Sequence, residues 1–335
     1  MKTAIIRGES IAACCCASLL DRAGVLFSRE KVSRPKLPAV MIGDTSQRVL
    51  ADIFAQPDLF KGLPLIRKRV VKWGATAQAL ALPHSAIVAS DQILLDRIEP
   101  LLARVPYSSD AEPAEWTILS SRPLPEASED FNFGSRMAAA VQVTLKKGAD
   151  TEASWVESLP EGWLFMLPNG TTAWLLSVGG STQSLLSESS LIAQQIAGVE
   201  AESRSFPCHP RIADPNCGPG WMACGSAVLG FDPLCGDGSG YAAREAILAA
   251  AVVQAASRGA DRDNLIAHYR ARLLAGFQRH LETCLEFYRT GHSGGWWDEQ
   301  INATERGLEW CRAKRALASE FKFRLSGFSL EAIQK

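Results

Sequence analysis

Residues 221–243 read WMACGSAVLGFDPLCGDGSGYAA, in which a short apolar segment precedes closely spaced glycines. The short apolar run Trp221–Cys224 is followed by glycines at positions 225, 230, 236, 238 and 240, and then by an Ala-rich segment from Tyr241 to about Ser257. The pattern predicts a buried strand, a glycine turn and a helix. The N-terminus of a helix presents backbone N–H groups and carries about half a positive charge, so the turn predicts an anion site. A glycine-rich loop without a ligand is the alternative.

The N-terminus of the chain has a second strand–turn–helix pattern. Thr3–Arg7 is a short apolar strand, and the helix that follows extends to Arg22. Gly8, Ser10 and Ala13 occupy the glycine positions of the dinucleotide-binding pattern G-x-G-x-x-G, as G-x-S-x-x-A. Glu30 is the candidate acidic residue for the ribose hydroxyls. An ordinary buried strand and helix would give a similar pattern.

The 221–243 stretch resembles the second flavin-binding motif of FAD-dependent aromatic hydroxylases and tryptophan-halogenase-like enzymes. Gly225-Ser226 stands where those families have Gly-Asp, whose carboxylate normally bonds the ribityl chain, while residues 232–238 match the family loop. The resemblance implies that FAD is the cofactor. The residues it implies at the FAD site, with the N-terminal motif, are Gly8, Ser10, Ala13, Glu30, Ser226, Asp232, Pro233, Gly236, Gly238, Ser239 and Gly240.

Residues 162–168, GWLFMLP, resemble a strand that separates the flavin from the substrate in halogenases and related monooxygenases. The resemblance makes Trp163, Phe165 and Pro168 substrate-proximal. Strand alternation places Trp163, Phe165 and Leu167 on one face. Packing in a hydrophobic core would favour the same alternation.

The fold class we predict is α/β. A Rossmann-like FAD-binding domain of the aromatic-hydroxylase type, formed by residues 1–104 and 205–335, carries an inserted antiparallel substrate sheet, residues 105–204, and C-terminal helices. Within the insert we expect a long connection over 105–135 that contains a short strand Trp116–Leu119, then strands at Val141–Leu145, Trp163–Leu167 and Thr172–Val178, and a helix over Ser184–Gly198. Earlier in the chain we expect a helix within Leu82–Leu102, and later a long helix over Asp261–Thr290.

The resemblance implies an FAD-dependent monooxygenase that hydroxylates an aromatic or a protein- or peptide-borne side chain through a flavin hydroperoxide. Halogenation is the alternative, and it requires a lysine that family spacing puts near Leu65; Lys61, Lys68 and Lys72 are off-register. A catalytically silent flavoprotein-like module is a further alternative. The weak catalytic candidates are His84, Asp232 and His292, with His209 as another titratable loop residue. No nicotinamide-binding motif is evident, so a separate flavin reductase is an expected partner.

One C-terminal aromatic stretch indicates which branch of the family the chain resembles. The C-terminal stretch with Phe287–Gly291 and Trp296-Trp297 resembles flavoenzymes that mature tryptophan-derived quinone cofactors, although Trp296-Trp297 as a packed aromatic anchor is the favoured interpretation. That branch would act on a side chain within a protein or peptide.

Composition excludes several classes of function. The net charge of −1 gives no electrostatic reason to expect nucleic acid, and no apolar run reaches the ~18 residues of a membrane span. Nine cysteines show neither a disulfide framework nor a convincing metal-ligand spacing. Cys14–Cys16 are expected in a buried helix, and the compartment is expected to be the reducing cytoplasm.

Overall fold

The computed structural model describes residues 2–75, 78–108, 113–235, 238–316 and 321–333. Seven α-helices occur in these ranges: α1 Ile11–Arg22, α2 Asp44–Phe54, α3 Asp91–Ile98, α4 Thr182–Glu188, α5 Gly238–Ser257, α6 Arg262–Arg289 and α7 Gly295–Ala316. The strands of the first half are β1 Lys2–Arg7, β2 Phe27–Glu30, β3 Val40–Gly43, β4 Leu65–Lys72, β5 Leu80–Ala89, β6 Ala114–Leu119, β7 Glu129–Asn132, β8 Met137–Leu145, β9 Ala153–Leu159 and β10 Gly162–Asn169. Those of the second half are β11 Thr172–Gly179, β12 Ile196–Pro207, β13 Arg211–Asp214, β14 Cys217–Gly218, β15 Trp221–Ala223, β16 Leu229–Gly230, β17 Phe323–Ser326 and β18 Ser329–Ala332.

The first sheet is the parallel sheet that the two strand–turn–helix motifs predicted. Its order is β14-β15-β6-β1-β2, with β15, β6, β1 and β2 parallel. Helices α1 and α5 share one hydrophobic core with this sheet. Cys14–Cys16 in α1 are completely buried, and the Cys16 thiol lies 3.6 Å from the Ala246 carbonyl oxygen of α5. The predicted α/β class is confirmed, and Cys14–Cys16 lie in a buried helix as predicted.

The second sheet has eight strands in the order β12-β8-β11-β10-β9-β4-β5-β3. All neighbours are antiparallel except β4 and β9. The predicted alternation along β10 is confirmed, because Leu164 and Met166 pack in one hydrophobic cluster while Trp163, Phe165 and Leu167 pack in clusters on the opposite face.

Each sheet contains strands from both of the predicted segments. Strand β6, placed in the 105–204 segment, lies between β1 and β15 in the first sheet, where Trp116 and Ile118 are completely buried. The predicted short strand Trp116–Leu119 is confirmed as part of β6. Strands β3, β4 and β5, placed in the 1–104 segment, belong to the second sheet. The chain crosses between the sheets several times, so the division at 104/105 and 204/205 stays a prediction.

Of two further predicted helices, the one within Leu82–Leu102 is confirmed and the one over Ser184–Gly198 is shorter than expected. Within Leu82–Leu102, β5 continues to Ala89, and α3 begins at Asp91 after a Ser90 cap whose hydroxyl accepts the Ile93 N–H. In Ser184–Gly198, α4 ends at Glu188 because the buried Glu157 carboxylate accepts backbone N–H groups of residues 190–192 at 3.0–3.1 Å. Those N–H groups would otherwise continue the helix. The long helix is confirmed as α6, with Asp261 as its N-cap.

None of the helices that the structure describes combines the length and the apolar character that a membrane span requires.

Candidate functional site

A cavity of about 460 Å³ lies where the two sheets meet. Its walls come from the first turn of α1, the segment before β3, strands β10 and β11, the end of β12, and the loop before α5. A volume of this size is within the range of about 300–1,000 Å³ typical of small-molecule and cofactor sites. Both predicted glycine motifs therefore contribute to one cavity.

The N-terminus of α1 forms one end of the cavity. Ser10, Ile11 and Ala12 line it. The Ser10 hydroxyl accepts the Ala13 N–H at 3.1 Å, which leaves the earlier amides of the first turn without an intrahelical acceptor. Gly8 sets the turn that brings these residues here. It has φ +135°, and a Cβ at this position would lie 2.2 Å from the Ser120 Oγ. The first turn of α1 is thus presented to any anion in the cavity.

Charged residues near this end have different surroundings. Glu30, the predicted ribose ligand, pairs with Arg7 at 2.6 Å, and its backbone carbonyl accepts the Gly8 N–H. Arg34, which the sequence analysis missed, lines the cavity and pairs with Asp91 at 2.8 Å. The Arg34 Nε is buried and has no hydrogen-bond partner among the described residues. Asp91 also lines the cavity, so the two charges offset each other there and the Arg34 Nε remains a donor without a partner.

The loop of the second motif forms the opposite wall. Ser226, Asp232, Pro233, Gly238 and Ser239 all line the cavity. Gly240 is buried in the first turn of α5. Gly236 lies outside the described residues.

Asp232 is at the centre of a buried polar network rather than free in the cavity. Its Oδ2 lies 3.1 Å from Arg136 Nη2 and accepts the Tyr288 hydroxyl at 2.6 Å. Its Oδ1 accepts the Leu234 N–H, and its own N–H donates to His280 Nε2 at 2.9 Å. The side chains of Asp232 and Arg136 are fully buried. Because both carboxylate oxygens are already bonded, the network holds the loop in place and does not present Asp232 as a base.

Glu245 is a site residue that the sequence analysis missed. It lies in α5, lines the cavity, and its Oε2 accepts the Gly225 N–H at 2.6 Å. Its Oε1 is buried and has no hydrogen-bond partner among the described residues. Burial raises the pKa of Glu245 to about 8, although the Gly225 N–H acts in the opposite direction. A carboxyl group with one unused oxygen therefore lies beside the Gly225-Ser226 turn, where this chain lacks the aspartate of the family pattern.

The face of the second sheet that meets the cavity is aromatic and apolar. Phe165, Leu167, Trp174 and Phe206 line it. Trp163 and Pro168, the other predicted substrate-proximal residues, are buried in the protein interior. Of the three predicted residues, the structure brings Phe165 to the cavity wall.

Trp163 packs in a cluster with Tyr288 and Trp297. Trp297 is fully buried and donates its indole N–H to the Leu159 carbonyl at 3.0 Å. Trp297 thus has the packed aromatic role that the sequence analysis favoured.

The predicted catalytic histidines lie elsewhere. His84 is in β5, 3.4 Å from Arg69, and burial together with that charge lowers its pKa. His292 stacks on Trp297 and lies 3.2 Å from the Ser158 carbonyl oxygen. His209 lies 3.1 Å from Asn132 Oδ1, and burial lowers its pKa. The histidine bonded to a cavity residue is His280, which was not among the candidates.

The off-register lysines also have other partners. Lys68 pairs with Asp150 at 2.6 Å, and Lys72 bonds the Ser190 hydroxyl at 2.6 Å. In the part of the chain that the structure describes, the residues lining the cavity include Arg34 but no lysine.

Comparison with known proteins gives a likeness in fold. No protein-family model matches the chain, and no curated protein sequence matches it significantly. The peptidyl tryptophan dihydroxylase QhpG, essential for tryptophylquinone cofactor biogenesis, has a TM-score of 0.74 at 18% identity over 89% of this chain and 78% of its own. The flavin-dependent halogenase CmlS has 0.76 at 14% over 94% and 71%, and the myxobacterial FAD-dependent chondrochloren halogenase CndH has 0.74 at 15% over 95% and 90%. The predicted resemblance is confirmed at the level of the fold: this chain has the α/β fold shared by flavin-dependent halogenases and a peptidyl tryptophan dihydroxylase.

Proposed function

We propose that this protein is an FAD-dependent monooxygenase that hydroxylates a small aromatic molecule or an aromatic side chain in a peptide or protein. The observation that supports this best is the single cavity bounded by the first turn of α1, the glycine loop before α5 and the aromatic face of β10 and β11. A helix N-terminus, polar residues and an aromatic wall surround one space. These are the surroundings that a dinucleotide with an aromatic ring system and an aromatic substrate require.

The unsatisfied polar atoms in the cavity fit FAD. The first-turn amides of α1 and the unused Nε of Arg34 would hold the pyrophosphate. The free oxygen of Glu245, with the Ser226 hydroxyl, would hold the ribityl hydroxyls. Glu245 would thereby supply, from α5, the carboxyl group that Ser226 lacks.

Reduced flavin, once bound, would activate O2 and supply oxygen to an electron-rich ring. The residues of this chain would orient the ring against Phe165 and Trp174 and exclude water with the apolar side chains between the sheets. Hydroxylation is favoured over halogenation because the described cavity wall contains no lysine. Electrons would come from a separate flavin reductase. All nine cysteines are free thiols, in keeping with a reducing, cytoplasmic compartment.

The reaction is tested by product mass. The full chain, loaded with FAD and supplied with an added flavin reductase, would be given O2, bromide, and a panel of indoles and tryptophan-containing peptides. We expect products heavier by oxygen, in equal yield with and without bromide. Phe165→Ala should lower the yield at least tenfold with FAD still bound, whereas Phe287→Ala, a change at a half-exposed aromatic residue of α6, should not.

A brominated main product would replace this proposal with the halogenase alternative. Bound FAD that is reduced and reoxidised without any product from the panel would favour the silent-module alternative.

A further inference from the structure

Two neighbouring cysteines, one in the cavity wall and one behind it, have no part in the function proposed above. Cys235 ends the 3-10 turn Pro233–Cys235 and lines the cavity. Cys284, on α6, is fully buried. Their Sγ atoms are 3.5 Å apart, so the hydrogen of one thiol is shared with the other sulfur. One sulfur is therefore reachable from the cavity, and the other lies directly behind it.

His280 fixes the surroundings of the pair. Its Nε2 accepts the Asp232 backbone N–H at 2.9 Å and lies 3.4 Å from the Cys284 Sγ. A backbone N–H only donates, so the imidazole proton is on Nδ1. The ring thus links the loop that carries Cys235 to the helix that carries Cys284.

The pKa values of the two thiols are shifted in opposite directions. A hydrogen bond from Cys284 lowers the pKa of Cys235 to about 6; burial opposes this, and His280 adds to it. Burial raises the pKa of Cys284 well above its usual value. The more acidic of the two thiols is thus the one that lines the cavity. Accessible thiolates beside a second cysteine are the sites that oxidants attack selectively.

We propose that Cys235 and Cys284 form a redox-active dithiol, which a hydroperoxide that enters the cavity oxidises to a disulfide. The Cys235 thiolate attacks a peroxide oxygen, the O–O bond breaks, and a sulfenic acid forms as hydroxide leaves and takes up a proton. The Cys284 sulfur then attacks the Cys235 sulfur, forming the S–S bond and releasing water. With hydrogen peroxide, two thiols and one peroxide give one disulfide and two water molecules, a two-electron exchange.

The bond requires a small movement. A disulfide has an S–S distance of about 2.05 Å, so the sulfurs must approach by about 1.5 Å. Cys235 is in a short turn that leads to the glycine loop, so it is free to make this shift more readily than Cys284 in α6. The disulfide would tie the loop that contains Asp232 and Pro233 to α6.

A metal ion is the competing occupant. The ligand atoms of Cys235, His280 and Cys284 all lie within 4.8 Å of one another. The His280 nitrogen that lies 3.4 Å from the Cys284 Sγ is Nε2, and a tetrahedral metal bound there would have to displace the Asp232 N–H. The dithiol needs no such rearrangement, and the geometry favours it.

The test uses the full chain, purified without reductant and with its metal content measured. After treatment with hydrogen peroxide, we expect two of the nine thiols to be lost, and peptide mapping to find one Cys235–Cys284 link that dithiothreitol removes. In Cys284→Ser, dimedone should label Cys235 as a trapped sulfenic acid. In Cys235→Ser, the remaining thiol of the pair, Cys284, should stay reduced. Cys208→Ser is the matched control: Cys208 also lines the cavity, but burial raises its pKa to about 12, so this variant should oxidise like the parent.

The wild-type mapping needs no variant and is decisive if a variant does not fold. Retention of all nine thiols, loss of Cys208 in preference to Cys235, or stoichiometric zinc that protects the pair until it is chelated would each overturn the proposal. Because it requires no bound FAD, it can fail or hold independently of the proposed function.

Discussion

At the level of single residues, the candidate site contains polar side chains in which one atom has a hydrogen-bond or ion-pair partner and another atom has none. Glu245 bonds Gly225 and has a free oxygen, and Arg34 bonds Asp91 and has a free Nε. A buried polar atom without a partner costs on the order of 1–3 kcal/mol, so each is a site where a ligand can restore stability. These residues mark where the cavity is prepared for a polar molecule.

The raised pKa of Glu245 has a consequence for stability. The carboxyl takes up a proton in the folded protein up to pH about 8, against an ordinary value of 4.5, so it contributes stability below pH 4.5 that is lost as the pH rises through 8. Glu245→Gln removes this dependence. We expect the difference in free energy of unfolding between parent and variant to fall by a few kcal/mol between pH 5 and 9, measured by urea denaturation of the FAD-free proteins. Parallel pH profiles would show that Glu245 is not buried as described.

The pattern of the chain pointed to the site but not to all of its residues. Ser10, Ser226, Asp232 and Gly238 were found because each is local to a glycine motif. Glu245 was missed because its partner Gly225 is 20 positions away and meets it only when α5 packs on the turn. The available signal was a carboxylate in an otherwise Ala-rich, buried helix.

At the scale of elements, the two glycine motifs have different tasks. Gly8 has a positive φ and lies against Ser120 and Ser121, so it shapes the turn before α1. Gly238, the first residue of α5, has space around its Cβ position among the described atoms, and it lines the cavity. The first glycine serves the fold, and the second leaves space for a ligand.

Substitution separates these tasks. Gly8→Ala should lower the free energy of unfolding by about 1–3 kcal/mol, because φ +135° is strained for alanine and its Cβ would meet Ser120. Gly238→Val should change the free energy of unfolding by no more than about 0.5 kcal/mol. It should nevertheless lose FAD affinity, because the side chain excludes the cofactor sterically, and Gly238→Ala should have an intermediate affinity. Urea denaturation and FAD titration of all three variants measure both effects. Parent-like FAD binding by Gly238→Val would remove this loop from the flavin site.

Element boundaries were predictable where local pattern decides and not where tertiary contacts do. Strand β10, helix α1 and helix α6 follow their apolar periodicity. Helix α4 ends early because the Glu157 carboxylate, which is distant in sequence, accepts the backbone N–H groups of Ser190 and Ile192 after the helix. Strand β6 is short, and only its pairing with β1 and β15 shows that it is central.

At the scale of the whole molecule, the cavity exists only because the chain crosses repeatedly between the two sheets. One wall belongs to the nucleotide sheet and its helices, and the other belongs to β10, β11 and β12. This arrangement brings the predicted anion site and the predicted substrate strand to one space. The central claim is therefore that one FAD molecule occupies that space.

The visible absorption spectrum of the full chain, reconstituted with excess FAD and freed of unbound cofactor, tests this claim most directly. We predict a flavin spectrum with one FAD per chain, shifted from that of free FAD by the apolar wall, and weakened binding in Gly238→Val and Glu245→Ala. A correctly folded protein that retains no flavin after reconstitution, or a parent and variants that bind it equally, would contradict the account.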